Sequence, residues 1–443
     1  MMHARRLAVC LALAALFSLL VYYRSASSAV TINTLRGSVP QVIGLGDYFH
    51  DDSEEDSDAT GTESWRGKET TTPQPQPQHP HTPKPTTDTS TRPDSAVDSD
   101  AMSVSPYTPR NYTRNLVMAR IKKENVDWLD EVDLGPEISK VIYVADDPNA
   151  PLHVPKNKGH EVMIYLTYIL EHYDNLPDVS IFMHAHRYAW HNDDLLNFDA
   201  AEMIKRLSSE RVIRKGYMNL RCHWMPGCPE WIHPGQIEED SEKLEQSLMA
   251  DAWAELFPLK PIPQVLAQPC CSQFALSRDR IRELPRERYA HFRDWLLRSQ
   301  IRDSMSGRIF EYLWQEIFTG ESTFCPSQRT CYCDGFGVCF ESDDTFDKWF
   351  EIRFNMKEAE KELREWEQMA EEIEGYRKHG KLQGIEAGDL KVPEIGRKED
   401  LQTLIADLEA DLEKRRLEAL QRGTDPKIRA ESDGRAWKEG DGY

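Results

Sequence analysis

The sequence predicts an α/β domain between residues 115 and 340, built as a mostly parallel sheet flanked by helices. Three observations carry that expectation. Short apolar runs, Leu116 to Ala119, Val141 to Ala145 and Val179 to Met183, alternate with helical stretches, the order that gives parallel strands joined by crossovers. Between the second and third runs, Val162, Leu166, Ile169, Tyr173 and Leu176 recur at helical spacing. The third run ends in His184-Ala185-His186, and open α/β sheets bind ligands beyond the carboxyl ends of their strands.

Ahead of that domain, Leu7 to Tyr23 carries no charge and follows Arg5 and Arg6. The run is close to the shortest spanning helix, and the flanking arginines hold the preceding end in the cytosol. The expectation is a signal anchor at 7–23 behind a cytosolic tail at 1–6; cleavage within Ser25 to Ala29 is the alternative and gives a secreted protein. Residues 24–114 read as a disordered stalk, acidic from Asp47 to Glu63 and rich in Thr, Pro and Gln from Thr70 to Pro93.

Within the domain, Asn125 to Val132 reads as a short helix and Lys156-Asn157-Lys158-Gly159 as a turn opening the long helix, which Pro177-Asp178 ends. Ala200 to Leu207 and Ser241 to Leu256 read as helices, and Gln264 to Ser277 as mostly extended. Amphipathic helices follow over Arg286 to Arg298 and Gly307 to Phe318, and a cysteine-rich segment closes the domain near Phe340. Trp349 to Ile373 and Asp400 to Leu420 are charged and helix-prone, a helical appendage over 341–422 that packs on the domain or mediates self-association as a coiled coil. Residues 423–443 read as a disordered tail.

Composition narrows function. A net charge of −21 over 443 residues excludes nucleic acid and basic-patch docking on anionic lipid. Of 9 cysteines, Cys10 lies in the apolar run and the remainder is even in number, which in an oxidising compartment implies disulfides. A zinc site at Cys325, Cys331, Cys333 and Cys339 is the competing reading, and Cys222 to Cys228 reads as a disulfide-pinned loop. Asn111-Tyr112-Thr113 is a glycosylation sequon.

Three places can hold chemistry. At Asn157 to Glu161 a glycine at a helix start frees the backbone to approach an anion, and Lys156, Lys158 and Arg187 add cations suited to a nucleotide diphosphate. A glycine turn with solvated lysines is the simpler reading. His184 and His186, two apart on a strand, would share a face and converge on a metal, with His191, Asp193 or Asp194 completing the set; hydrogen-bonding histidines in a polar pocket are the alternative. In GCPEWIHP, Glu230 and His233 are candidate acid–base groups, and Glu311 is equally a cap, a core-edge carboxylate or a base.

The stretches LVMARIKKENVDWL, VPKNKGHEVMIYLTYILEHYDNLPDVSIFMHAHRYAWHNDD, PCCSQFALSRDRI and SGRIFEYLWQEIF resemble a family of fungal secretory-pathway proteins named only as Domain of Unknown Function thirty-four thirty-one. The order strand, helix, strand, Asn-x-Gly turn, helix, strand, polar triplet is similar to GT-A glycosyltransferases. That second resemblance implies a GT-A-like, nucleotide-diphospho-sugar transferase-like fold and a nucleotide sugar as donor. Asn157, Lys158 and Gly159 would lie against the donor, and His184-Ala185-His186 would stand where the family carries Asp-x-Asp on a divalent metal. Two imidazoles in place of two carboxylates suit a hard cation poorly, so charge stabilisation by Lys156, Lys158 and Arg187 is the metal-free variant. Asp193, Asp194 or Glu230 would be the general base. Anchor, stalk and lumenal domain also resemble the layout of Golgi transferases, which act on a glycan or glycoprotein. The readings from other classes are a non-catalytic, disulfide-stabilised carbohydrate- or protein-binding domain, and a metal-dependent hydrolase built on the histidine cluster.

Overall fold

In this computed structural model the chain is described for residues 111–135, 137–236, 240, 243–378 and 391–443. The proposed cytosolic tail and anchor, and the stalk up to residue 110, lie outside the described residues. Among the described residues no helix is long and apolar enough to cross a membrane.

The elements follow the chain as β1 (Arg114–Arg120), α1 (Trp128–Glu131), β2 (Ile138–Val144), α2 (Glu161–His172), β3 (Val179–His184), α3 (Ala200–Arg206), α4 (Ser209–Lys215), β4 (Tyr217–Asn219), α5 (Gln246–Leu256), β5 (Phe274–Ser277), α6 (Arg278–Arg282), α7 (Arg286–Arg298), α8 (Asp303–Glu311) and α9 (Trp314–Thr319). Beyond the cysteine-rich segment come α10 (Asp343–Lys378), α11 (Arg397–Arg422) and α12 (Pro426–Ser432).

The sheet order is β2-β1-β3-β5-β4. β1 is parallel to both β2 and β3, while β5 is antiparallel to β3 and to β4. Two reversals cancel, so β4 runs with β3 and only β5 points the other way. The sheet is therefore mixed.

Strand alternation sorts the core into two layers. Val117, Tyr143, Phe182, Tyr217 and Phe274 face α2, α5, α7, α8 and α9. Leu116, Met118, Ile181, Met183 and Met218 face α3, α4 and the feet of α10 and α11. α2 is buried on nearly every side, from Val162 through Leu170, because it lies between the sheet and α7. That explains why an amphipathic stripe understates its apolar content.

Four disulfides tie the loops: Cys222–Cys331, Cys228–Cys325, Cys270–Cys271 and Cys333–Cys339. Cys222 and Cys228 do not pair with each other, as their spacing had suggested. Each instead fastens the 222–228 loop to the cysteine-rich segment. The sulfurs at Cys325, Cys331, Cys333 and Cys339 are likewise spent on disulfides, which removes the zinc alternative.

α10 and α11 pack against each other, and their feet close the second layer through Phe346, Trp349, Ile352, Leu412 and Ala419. Trp349 Nε1 donates to Leu412 O at 3.0 Å, locking the register there. The segment after Gly423, expected as a disordered tail, instead forms α12 and packs on the domain. Asp425 caps α12 by accepting from Lys427 N (2.8 Å), Ala430 is fully buried, and Arg429 donates to Asp334 O at 2.7 Å. Charged residues there form ion pairs with the domain, a use that composition does not reveal.

Candidate active site at the carboxyl rim of the sheet

β1 and β3 end side by side, Ala119 opposite His184, and β5 begins opposite Phe182. The turn at Cys270 to Gln273 therefore rises at the same rim as His184. The chain reverses its winding here, since β2 lies on one side of β1 and β3 on the other, the place where α/β sheets hold ligands.

His184 is held at two points. Its backbone N donates to Gln273 Oε1 (3.2 Å), and its Nε2 lies 2.8 Å from Cys271 O. A carbonyl only accepts, so in the neutral ring the proton sits on Nε2 and the lone pair on Nδ1. The ring lies 4.8 Å from that of His191, whose Nε2 is buried without a hydrogen-bond partner. Burial, then the neighbouring His184 and Arg221, hold His191 well below its ordinary pKa, so it stays neutral.

His186 does not join them. β3 ends at His184, so strand alternation no longer governs a residue two positions on, and His186 turns outward to within 3.7 Å of Glu124. Among the described residues the three imidazoles do not come together as a metal-ligand set; the atoms that lie within 4.8 Å of one another belong to Cys270, Cys271 and Glu311.

The loop after β3 is closed by a bridge between Tyr188 and Asp199. Arg187 makes a bidentate pair with Asp199, both contacts 3.1 Å, so this cation fixes the loop and is not free for a phosphate. Asn192, fully buried, donates to Arg187 O and Phe198 O and accepts from Gln273 Nε2 (3.0 Å). Arg221 reaches in from beyond β4 to the carbonyls of Trp190 and Asn192.

Asp193 and Asp194 also prove to be fasteners. Asp193 has no exposed surface; it accepts from Cys222 N and from the Tyr332 hydroxyl, each at 2.9 Å, and burial pushes its pKa up to about 7. Asp194 pairs with Arg353 of α10 at 2.8 Å. Beside that pair, His223 stacks on Phe350 (5.0 Å), and burial drops its pKa to about 4. Both carboxylates are engaged by partners within the domain. Replacing Arg353 by alanine strands the Asp194 charge and is expected to cost about 3 kcal/mol. Amide exchange over residues 188–199 should quicken more than in β3; equal change in both would show that the pair does not hold the loop.

The glycine turn serves packing. Gly159 has φ +69°, and a Cβ there would lie 2.6 Å from Leu296 of α7, so its smallness admits a side chain of the protein. Lys158 is nearly buried, donating to Ile301 O and pairing with Asp303 at 3.0 Å at the start of α8. Lys156 and Asn157 are exposed. Glu230 is exposed and lies 3.6 Å from His233, whose backbone N donates to Gln246 on α5, so that pair belongs to the α5 flank.

The turn at Cys270 to Gln273 joins His184 to Glu311. Glu311 Oε1 accepts from Cys271 N at 2.6 Å, while Cys271 O receives His184. Burial pushes the Glu311 carboxyl up to about 8, and the charges of Glu245 and of Glu161, at the start of α2, add to the rise. Glu245 is itself almost wholly buried, 3.8 Å from Arg308, and burial raises its carboxyl too. A carboxyl with a raised pKa therefore stands one residue's backbone away from the Nε2 edge of an imidazole.

Residues 116–334 match the family model described as Protein of unknown function (DUF3431). That span is a domain of this family. The DUF3431 span begins inside β1 and ends at Asp334, so it contains His184, Cys271 and Glu311, and it leaves α10 to α12 outside. No curated protein and no solved structure matches the chain.

A groove of about 1070 Å³ also runs between α5 and α7, lined by Glu255, Trp295, Ile301 and Met305. It lies on the helical flank.

Proposed function

We propose that the DUF3431 domain of this chain is a GT-A-like glycosyltransferase working at the strand-end rim, moving a sugar from a nucleotide donor to a glycan or glycoprotein. One observation carries the reading: Glu311 and His184 are joined through the two backbone groups of Cys271, at the end of the sheet where ligands bind. His184 Nδ1 would take the proton of the acceptor hydroxyl, and the Glu311 carboxyl would donate to the departing diphosphate oxygen. Lys156 is the exposed cation at the turn. Tyr188, 63% exposed beside the rim, offers a face on which a sugar ring can pack.

Four disulfides support a lumenal or extracellular setting. Self-association through the α10–α11 pair is a further part of the proposal, supported by exposed Leu404 and Leu417.

Titrating the purified protein with the common nucleotide sugars by calorimetry tests the reading. Saturable binding of one donor is expected. Folded protein that binds none of them would remove the transferase, and glycan binding without turnover would turn the reading toward a carbohydrate-binding domain built around Tyr188.

A further inference from the structure

The Cys270–Cys271 bridge joins sequence neighbours, whereas Cys222–Cys331 and Cys228–Cys325 span 109 and 97 residues. In the chain-entropy account a disulfide stabilises a fold by the loop it closes, and a bridge between neighbours closes almost none. It does little to hold the domain together. Its position is nevertheless specific. Cys270 is fully buried and Cys271 is 8% exposed, at the rim between His184 and Glu311. Cys271 and Ser272 have φ of +89° and +49°, a backbone region that L-residues enter at a cost. The turn is held there by Glu311 on Cys271 N and by His184 on Cys271 O.

The result is a cluster of two sulfurs and one carboxylate oxygen within 4.8 Å of one another. Two thiolates and a carboxylate, with a coordination position left over, is a donor set that suits a thiophilic divalent ion such as Zn²⁺. The three bridges elsewhere offer no comparable carboxylate among the described residues.

We propose that Cys270, Cys271 and Glu311 form a redox-gated site for Zn²⁺ or a similar thiophilic cation. The oxidised bridge cannot ligate. A small or protein dithiol transfers two electrons and two protons to the bridge, breaking the S–S bond and leaving as its own disulfide. Zn²⁺ then replaces the two thiol protons and the proton of the Glu311 carboxyl, all of which go to solvent, and takes the resulting carboxylate as third ligand. Oxidation by a disulfide oxidant reforms the bridge and expels the ion. This site does not depend on the transferase reading, because it is read by metal binding alone.

The test uses the full chain before and after mild dithiol treatment, with mass spectrometry of alkylated peptides showing which cysteines are free. One equivalent of Zn²⁺ per chain should bind once Cys270 and Cys271 are reduced, and none before. Cd²⁺ should give the ultraviolet thiolate-to-metal band. Glu311→Gln should weaken Zn²⁺ by at least about tenfold, and Cys270→Ser/Cys271→Ser should lose it. Should that double variant not fold, wild type reduced and then blocked with N-ethylmaleimide gives the same comparison. Reduced protein that binds no Zn²⁺, or binding that persists after blocking, overturns the site.

Discussion

Glu311→Gln is expected to lower the proposed transfer by two to four orders of magnitude while leaving binding of the proposed donor close to that of the parent protein. That range is what a positioned general acid or base contributes. The amide keeps the shape of the carboxyl and can rotate its NH₂ toward a ligand, but it has no proton to give to a leaving oxygen. The variant also removes the acceptor for Cys271 N, now 2.6 Å from Oε1, unless the amide oxygen takes that place. Near-ultraviolet dichroism and thermal melting separate the two effects. A variant that melts like its parent and still turns over normally would show that Glu311 is only a fastener of the Cys270–Cys271 turn. The proposed transfer would then need another acid.

The second large effect is on stability. Asp334→Asn is expected to destabilise the domain by at least about 3 kcal/mol, the cost of removing one side of a buried ion pair. Against a total of about 5–15 kcal/mol for a typical domain, that threatens folding. Asp334 is 1% exposed and meets Arg211 (2.7 Å), Arg214 (2.9 Å) and Arg435 (2.8 Å). Asp433 adds pairs to Arg211 (3.2 Å) and Lys215 (3.0 Å). With Asp334 neutral, three guanidinium groups are left with the Asp433 carboxylate between them. Burial alone would raise the Asp334 carboxyl; Arg211 and Arg214, with Arg435, outweigh it and hold the group below the usual carboxylate range. A depressed folded pKa means that this stabilisation is present above about pH 4 and is lost as the pH falls through the folded value. Parent and variant melting curves should therefore lie furthest apart at neutral pH and converge in acid. Limited proteolysis should cut the variant first near α12, which Arg435 and Arg429 fasten to Asp334. A stability loss under about 1 kcal/mol, or a gap that widens in acid, contradicts this account of the tail.

Much of the sheet was legible because its strands are short apolar runs and its helices are periodic. β1, β2, β3 and α2 stand where those runs are, since local pattern and burial agree there. β4 was missed because Tyr217–Asn219 is a three-residue strand with no alternation long enough to read. The reversal of β5 was missed for another reason. Nothing in Phe274–Ser277 encodes direction; that is set by the turn at Cys270 to Gln273 and by the neighbours on either side.

The site was read more poorly than the fold, and one cause recurs. A charged residue announces its chemistry but not its partner. Lys158, Arg187, Asp193 and Asp194 looked like ligand groups, and each is spent on Asp303, Asp199, Tyr332 with Cys222, or Arg353. Those partners lie 12 to 159 residues away in the chain. His184 was found because a polar residue at a strand end is conspicuous. Glu311 stood among the candidates with cap, core-edge and base all open, because its burial beside Cys271, Glu245 and Glu161 is something only packing creates. Glu245 and the adjacent cysteines carried no signal that spacing could turn into a site.

The most direct test is a crystal structure of the protein with a non-hydrolysable nucleotide sugar. The account predicts the diphosphate at the carboxyl rim, with Glu311 and His184 on either side of the reacting bond and Tyr188 toward the acceptor. A donor seated in the groove between α5 and α7, with the rim left untouched, would contradict it.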